Sequence, residues 1–155
     1  MTGVGLSATK AAAARRMAIV AAAERWLGTP YRHQASLRGV GCDCLGLVRG
    51  VWREVLGGEP EAMPAYTPDW SEASGRETLA EAAARHLRPV AIDATLPGDL
   101  LLFRWRENLP AKHVGILAGG GRFIHAHQGA AVATAALTPW WRRRIAFAFG
   151  FPGTA

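Results

Sequence analysis

The hydrophobic pattern changes period once along the chain, near residue 90, and that change limits the fold more than any other feature. Before it, apolar residues recur at helical spacing; after it, short apolar or alternating runs are separated by Gly and Pro. Residues 8–27 are rich in Ala, Arg and Glu, follow Ser7 or Thr9 as possible caps, and stop at Gly28-Thr29-Pro30, which predicts a first helix. Leu47, Val48, Val51, Trp52, Val55 and Leu56 predict a second over 44–56, closed by Gly57-Gly58. Residues 59–87 read as a proline-bearing loop and a third helix from about Arg76 to Leu87 that ends at Pro89, able to cover one side of a cleft.

The second half, 99–151, holds five runs, Asp99–Trp105, Lys112–Ala118, Arg122–His127, Ala131–Ala135 and Ile145–Phe151. Helices first and strands afterwards give an α+β fold, with N-terminal helices packed on a C-terminal antiparallel sheet of about five strands. A chain of 155 residues, half of it hydrophobic, can bury one sizeable core but not easily two, so residues 1–155 are expected to form a single domain.

The net charge of +6, carried by Arg far more than Lys, favours anionic partners such as nucleic acid, acidic lipid or a carboxylate-rich cell wall without choosing among them. Cys42 and Cys44 are the two cysteines, and a bridge across one intervening residue would strain disulfide geometry. Lys10, Arg15 and Arg16 before Met17–Ala23 have the outline of a signal peptide. The apolar run is short, however, and Glu24, Arg25 and Trp26 follow it, so an amphipathic helix fits better. No stretch has the length of a membrane span. The expectation is a soluble protein made in the cytoplasm without a signal peptide, and without membrane insertion.

Cys44 opens the second helix, and about seventy residues later His113 and His125 occupy a probable hairpin. With Gly119-Gly120-Gly121 as the turn, His113, Gly115 and Leu117 share a face with Phe123, His125 and His127, while Val114, Ile116, Ile124 and Ala126 occupy the other. A register with His113 opposite His125 allows a ring-to-ring hydrogen bond, and a shift of two residues selects His127 instead. Gly115 is expected to leave room for the cysteine helix.

A thiol at a helix N-terminus beside an imidazolium is stabilised as thiolate, which lowers its pKa and predicts faster iodoacetamide labelling of Cys44 than of Cys42 near neutral pH. Cys44 then acts as nucleophile with His113 as its base and His125 holding the base's other nitrogen. The Cys44 backbone amide is placed to meet an oxyanion. Asp43 reads as a cap or dipole partner beside that oxyanion and substrate-binding side.

Five motifs occur in order: Gly28-Thr29-Pro30-Tyr31-Arg32, Asp43-Cys44-Leu45-Gly46-Leu47-Val48, Pro97-Gly98-Asp99-Leu100, His113-Val114-Gly115-Ile116 and Phe123-Ile124-His125-Ala126. In these the chain resembles the NlpC superfamily of bacterial cell-wall cysteine peptidases, from Trp26 to Phe151. The resemblance implies a papain-like fold, with nucleophile Cys44, base His113, third polar residue His125, and Tyr31 beside the nucleophile as an aid to the oxyanion site. It also implies hydrolysis of the γ-D-glutamyl to diaminopimelate bond of peptidoglycan stem peptides with no cofactor. Leu45, where serine is commoner, and Cys42 depart from the pattern. Cys42 to Val48 and Pro139-Trp140-Trp141-Arg142-Arg143-Arg144 look most like variants of phage tails and phage-derived gene transfer particles. The implied partners are the stem peptide and phage-like tail tip, hub or baseplate proteins, not nucleic acid.

Other readings of the same residues are zinc ligation by Cys42, Cys44, His113, His125 and His127, whose spacing is poor for a structural site. An amidase or acyltransferase could use the same dyad, and a non-catalytic tail subunit could keep the fold. Arg142–Arg144 read as a solvated face, and Trp140 and Trp141 as core and rim or as an interface anchor.

Overall fold

The computed structural model describes residues 3–61 and 75–155, so most of the loop expected from 59 to 75 lies outside the described residues. Helix α1 spans Gly3–Arg25, beginning earlier than the expected residue 8 and ending within two residues of the expected stop. Its buried side carries Ala12, Ile19, Ala22 and Ala23, with Trp26 just beyond. A hairpin of two-residue strands follows, β1 (Ser36–Leu37) and β2 (Gly41–Cys42), turned by Gly39 at φ +78°. Helix α2 spans Cys44–Leu56, as the apolar spacing predicts, and stops at Gly57 with φ +96°. Helix α3 is Thr78–His86, shorter than the expected 76–87.

The sheet has six strands rather than about five: β3 (Arg88–Val90), β4 (Leu100–Phe103), β5 (His113–Ala118), β6 (Arg122–His125), β7 (Ala133–Ala136) and β8 (Ile145–Gly150). Their spatial order is β3-β8-β4-β5-β6-β7, and every neighbouring pair is antiparallel. The additional strand is β3. Pro89, expected only to end a helix, also sits in this strand because β3 lies at the sheet edge, where among the described residues one side of the backbone has no neighbouring strand to bond.

Alternation along the strands sorts two cores. Leu100, Leu102, Val114, Ile116 and Ile124 pack with Ile19, Trp26, Leu47 and Val51 of the helical layer. Leu101, Phe103, Leu117, Phe123 and Ala148 form the opposite face with Leu137, and Trp141 of the short helix α4 (Pro139–Arg142) packs against it. Two small positions on α2 permit this layering. A Cβ at Gly46 would run into the Ala35 carbonyl oxygen, and one at Gly50 would enter the Trp26 indole.

The Pro97-Gly98-Asp99-Leu100 motif is a buried anchor for α1. Gly98 has φ +96°, and the fully buried Asp99 accepts from Arg16 Nη1 at 2.8 Å and from the Leu96 amide at 2.9 Å. The same guanidinium donates to the carbonyls of Pro97 and Thr154, so one side chain joins α1, the entry to β4 and the chain's last residues. Removing the partner of a buried charge leaves it uncompensated. Arg16→Leu is expected to lower unfolding stability by about 3–5 kcal/mol, read from urea denaturation; a loss under about 1 kcal/mol would show that Asp99 is not held as an ion pair.

Candidate active site

Three backbone segments converge on Cys44. Asp43 caps α2 with Oδ1 accepting the Gly46 amide at 2.7 Å, while Oδ2 accepts the Gln34 amide at 2.7 Å. At 2 % exposure, with both oxygens engaged by backbone amides, this carboxylate positions the helix start, the cap that the sequence suggested. Tyr31 lies alongside, its backbone bridged in parallel to Cys42, with the Cys42 amide donating to Pro30 and the Arg32 amide to Cys42. Burial, then the neighbouring Cys44, Asp43 and Cys42, pushes the Tyr31 phenol up to about 12, so it remains a hydrogen-bond donor at neutral pH.

The thiol of Cys44 meets the start of β5. Its Sγ is 3.9 Å from the Lys112 carbonyl oxygen, and the Val114 amide is directed at it, so its contacts flank His113 on both sides in the chain. The amides of Val114, Leu45 and Cys44 all favour thiolate, but burial outweighs them and, with the Asp43 carboxylate, pushes Cys44 up to about 12. The expected lowering of its pKa is therefore overturned. Burial also raises Cys42, which is wholly enclosed, to about 12.

His113 and His125 are joined by a 2.8 Å hydrogen bond between Nε2 of His113 and Nδ1 of His125, with the rings edge to face. They are only 5 % and 6 % exposed. The register differs from the one that would set these residues opposite each other. Ile116 faces Ile124 and Leu117 faces Phe123, and continuing that pairing sets His125 beside Gly115 and His127 beside His113. The hydrogen bond is thus diagonal across the ladder. Gly115 does leave space, but for Phe123, whose Cδ2 would lie 2.7 Å from an added Cβ, and not for the cysteine helix.

Aromatic rings enclose the pair. Trp105 stacks on His113 at 5.2 Å, and Trp141 packs edge-on to His125 at 5.2 Å and against His113 at 6.0 Å. Burial, then His125 and His127, holds His113 well below the usual imidazole range, and burial, then His127, lowers His125 to about 4. Burial thus favours the uncharged form of the thiol and of both imidazoles. Trp105 was not singled out from sequence, although it closes the apolar run 99–105; Trp141 supplies core and Trp140 rim, with the Arg144 guanidinium 3.6 Å over the Trp140 ring. His33 lies beside the cap, its Nδ1 3.9 Å from Asp43 Oδ2, and His86 lies away from it at the end of α3.

Comparison with known proteins gives a consistent set of relatives. The model of the NlpC/P60 family matches residues 28–148. The chain is 30% identical over 128 residues to gamma-DL-glutamyl hydrolase of Bacillus subtilis (strain 168), covering 82% of this chain and 27% of that protein. It is also 30% identical over 120 residues to murein DD-endopeptidase MepS/murein LD-carboxypeptidase of Escherichia coli (strain K12), covering 77% of this chain and 54% of that protein. The chain thus spans less than two thirds of the length of either. The crystal structure of the NlpC/p60 domain of the peptidoglycan hydrolase SagA superimposes with a TM-score of 0.61 at 28% identity, covering 88% of this chain and 98% of that one.

Both imidazoles take up protons less readily folded than unfolded, so below the ordinary value of 6.5 the unfolded chain binds protons that the folded chain refuses. Their contribution to stability is complete above 6.5 and is lost as pH falls toward about 4, where His125 titrates. Urea midpoints are expected to fall across that window, with part of the slope removed in His125→Gln. A midpoint flat across it would contradict the burial of neutral imidazoles.

Proposed function

Because the chain belongs to the NlpC/P60 family, we propose that it is a cysteine peptidase that hydrolyses peptidoglycan stem peptides, with Cys44 as nucleophile, His113 as base and His125 as the residue that orients it. The observation that carries this reading is the 2.8 Å bond from His113 Nε2 to His125 Nδ1, together with a thiol at a helix start whose sulfur meets the backbone on either side of His113. When Nε2 carries the hydrogen and donates to His125, Nδ1 of His113 is left with a free lone pair, the tautomer a general base requires.

Burial favours the neutral forms of thiol and imidazole, and in the proposed reaction proton transfer accompanies attack. His113 takes the thiol proton as sulfur adds to the carbonyl carbon, and the oxyanion is met by the Cys44 amide and the Tyr31 hydroxyl. Collapse to a thioester expels the amine with the proton from His113, and water, activated by the same imidazole, releases the acid. The finer assignment is the γ-D-glutamyl to diaminopimelate bond, supported by the motif order and by a relative named for γ-glutamyl hydrolysis. Delivery by a phage-like tail is also proposed; its support is the resemblance of Cys42–Val48 and Pro139–Arg144 to tail-associated variants. Among the described residues no helix is long and apolar enough to cross a membrane.

Digestion of purified peptidoglycan and of a γ-D-glutamyl-diaminopimelate tripeptide, followed by assay of new amines, tests this. Wild type is expected to release amine, Cys44→Ala to release none, and His113→Ala to be slower by about 10²–10⁴-fold, the usual worth of a general base. No release by wild type, alone or with tail proteins, would favour a non-catalytic subunit that retains the fold.

A further inference from the structure

Three imidazoles meet where the proposed reaction uses two. His113, His125 and His127 each bring one ring nitrogen to within 4.8 Å of the others, in a cluster that contains neither cysteine. We propose that this cluster is a binding site for a borderline divalent transition metal such as Zn²⁺, and that the metal is a reversible inhibitor of the hydrolase, an inference that rests on His113 being its base.

Neutral imidazole is a ligand of choice for such ions, and all three rings come from fixed backbone. His113 opens β5 and His125 closes β6, two adjacent strands of one sheet. His127 begins a turn closed by the Ala130 amide donating to its carbonyl at 3.0 Å, with Gly129 at φ +85°. Ring centroids are 5.0 Å apart for His113 and His125, 5.7 Å for His125 and His127, and 5.8 Å for His113 and His127.

A tetrahedral ion with metal–nitrogen bonds of about 2.0–2.1 Å separates its ligand nitrogens by about 3.3 Å. The His113–His125 pair, now 2.8 Å apart, must open slightly, and the exposed His127 must close in. Three protein ligands leave a fourth position for water or an incoming group.

Inhibition follows from the tautomer. An ion on Nε2 of His113 displaces the hydrogen now shared with His125, and the neutral ring then carries that hydrogen on Nδ1. No proton leaves the ring, no electrons are transferred, and Nδ1 no longer has the lone pair that would accept the thiol proton. His125 keeps its hydrogen on Nε2 and changes only its partner at Nδ1.

The test uses Co²⁺ as a spectroscopic probe and Zn²⁺ as inhibitor, on wild type, His127→Ala and Cys44→Ala. Wild type is expected to take up one equivalent of Co²⁺ with visible absorption of low-coordinate character, displaced by Zn²⁺. His127→Ala is expected to bind at least tenfold more weakly, and Cys44→Ala to keep binding. In the peptidoglycan assay His127→Ala retains its metal-free rate, needs at least tenfold more Zn²⁺ for half inhibition, and a chelator restores wild type. No Co²⁺ uptake, uptake unchanged in His127→Ala, or uptake lost only in Cys44→Ala would overturn the site; the last would put the ion on the thiol. Absence of hydrolysis without metal would count against the peptidase reading instead, since Co²⁺ uptake is read independently of turnover.

Discussion

The buried carboxylate of Asp43 is the interaction on which the site's geometry depends. It accepts one amide from the first turn of α2 and one from Gln34, whose φ of +65° is the one positive value among the described non-glycine residues. Two charge-assisted bonds therefore fix both the start of the cysteine helix and the loop that runs past it. The Ala35 carbonyl comes so close to Gly46 that no side chain fits there, and Ser36 Oγ donates to the Gly46 carbonyl. The price of this anchor is electrostatic. The same negative charge opposes ionisation of the adjacent thiol, and with burial it outweighs three favourable amides. Position and acidity of Cys44 pull against each other, and position has won.

Much of this arrangement was legible in the sequence. The spacing Leu47, Val48, Val51 with Gly57 beyond it gave α2 both of its ends, and alternation from His113 to Ala126 placed the histidines on one face, because a helix stripe and a strand's parity are local properties. The roles expected of Cys44 and His113 follow from a thiol at a helix start and from strand parity, whereas that of Tyr31 rests on the resemblance carried by the order of motifs. What stayed hidden depends on partners distant in sequence. Pro89 reads as a stop until its edge position is known, and the hairpin at 36–42 is too short to show a period. The register of β5 against β6 slips without changing parity, so the diagonal pairing of His113 and His125 could not be chosen from alternation alone. The direction of the thiol's shift was misread for the same reason: helix-end dipoles are visible in sequence, whereas burial is a tertiary property.

The aromatic wall keeps both imidazoles weakly basic. Trp105, Trp141, Phe103 and Phe123 surround the imidazoles with surface that offers little to a charge, so protonation is disfavoured at both rings. A standing thiolate–imidazolium pair would place two charges in that setting. A neutral pair avoids both desolvation penalties, while the amides of Cys44, Leu45 and Val114 stay directed at the sulfur.

Thiol and imidazole also approach from opposite sides of the sheet. Cys44 belongs with the helical layer that packs on Val114 and Ile116, whereas His113 shares its face with Leu117 and Phe123. They can meet only at the beginning of β5, where the backbone of residues 112–114 is within reach of the sulfur. The position of that strand start is set from outside it. Glu77, just before α3, accepts from the Ala111 amide at 3.0 Å and from Arg104 at 3.1 Å, and Arg104 also donates to the Leu109 carbonyl at 2.8 Å. The loop from 104 to 111 is thereby tied at both ends to one carboxylate, and α3 holds the entry to His113 in place. Asp43 positions Cys44 and Glu77 positions the strand that carries His113, so the proposed nucleophile and the proposed base are each held in place by an acidic side chain distant from the other.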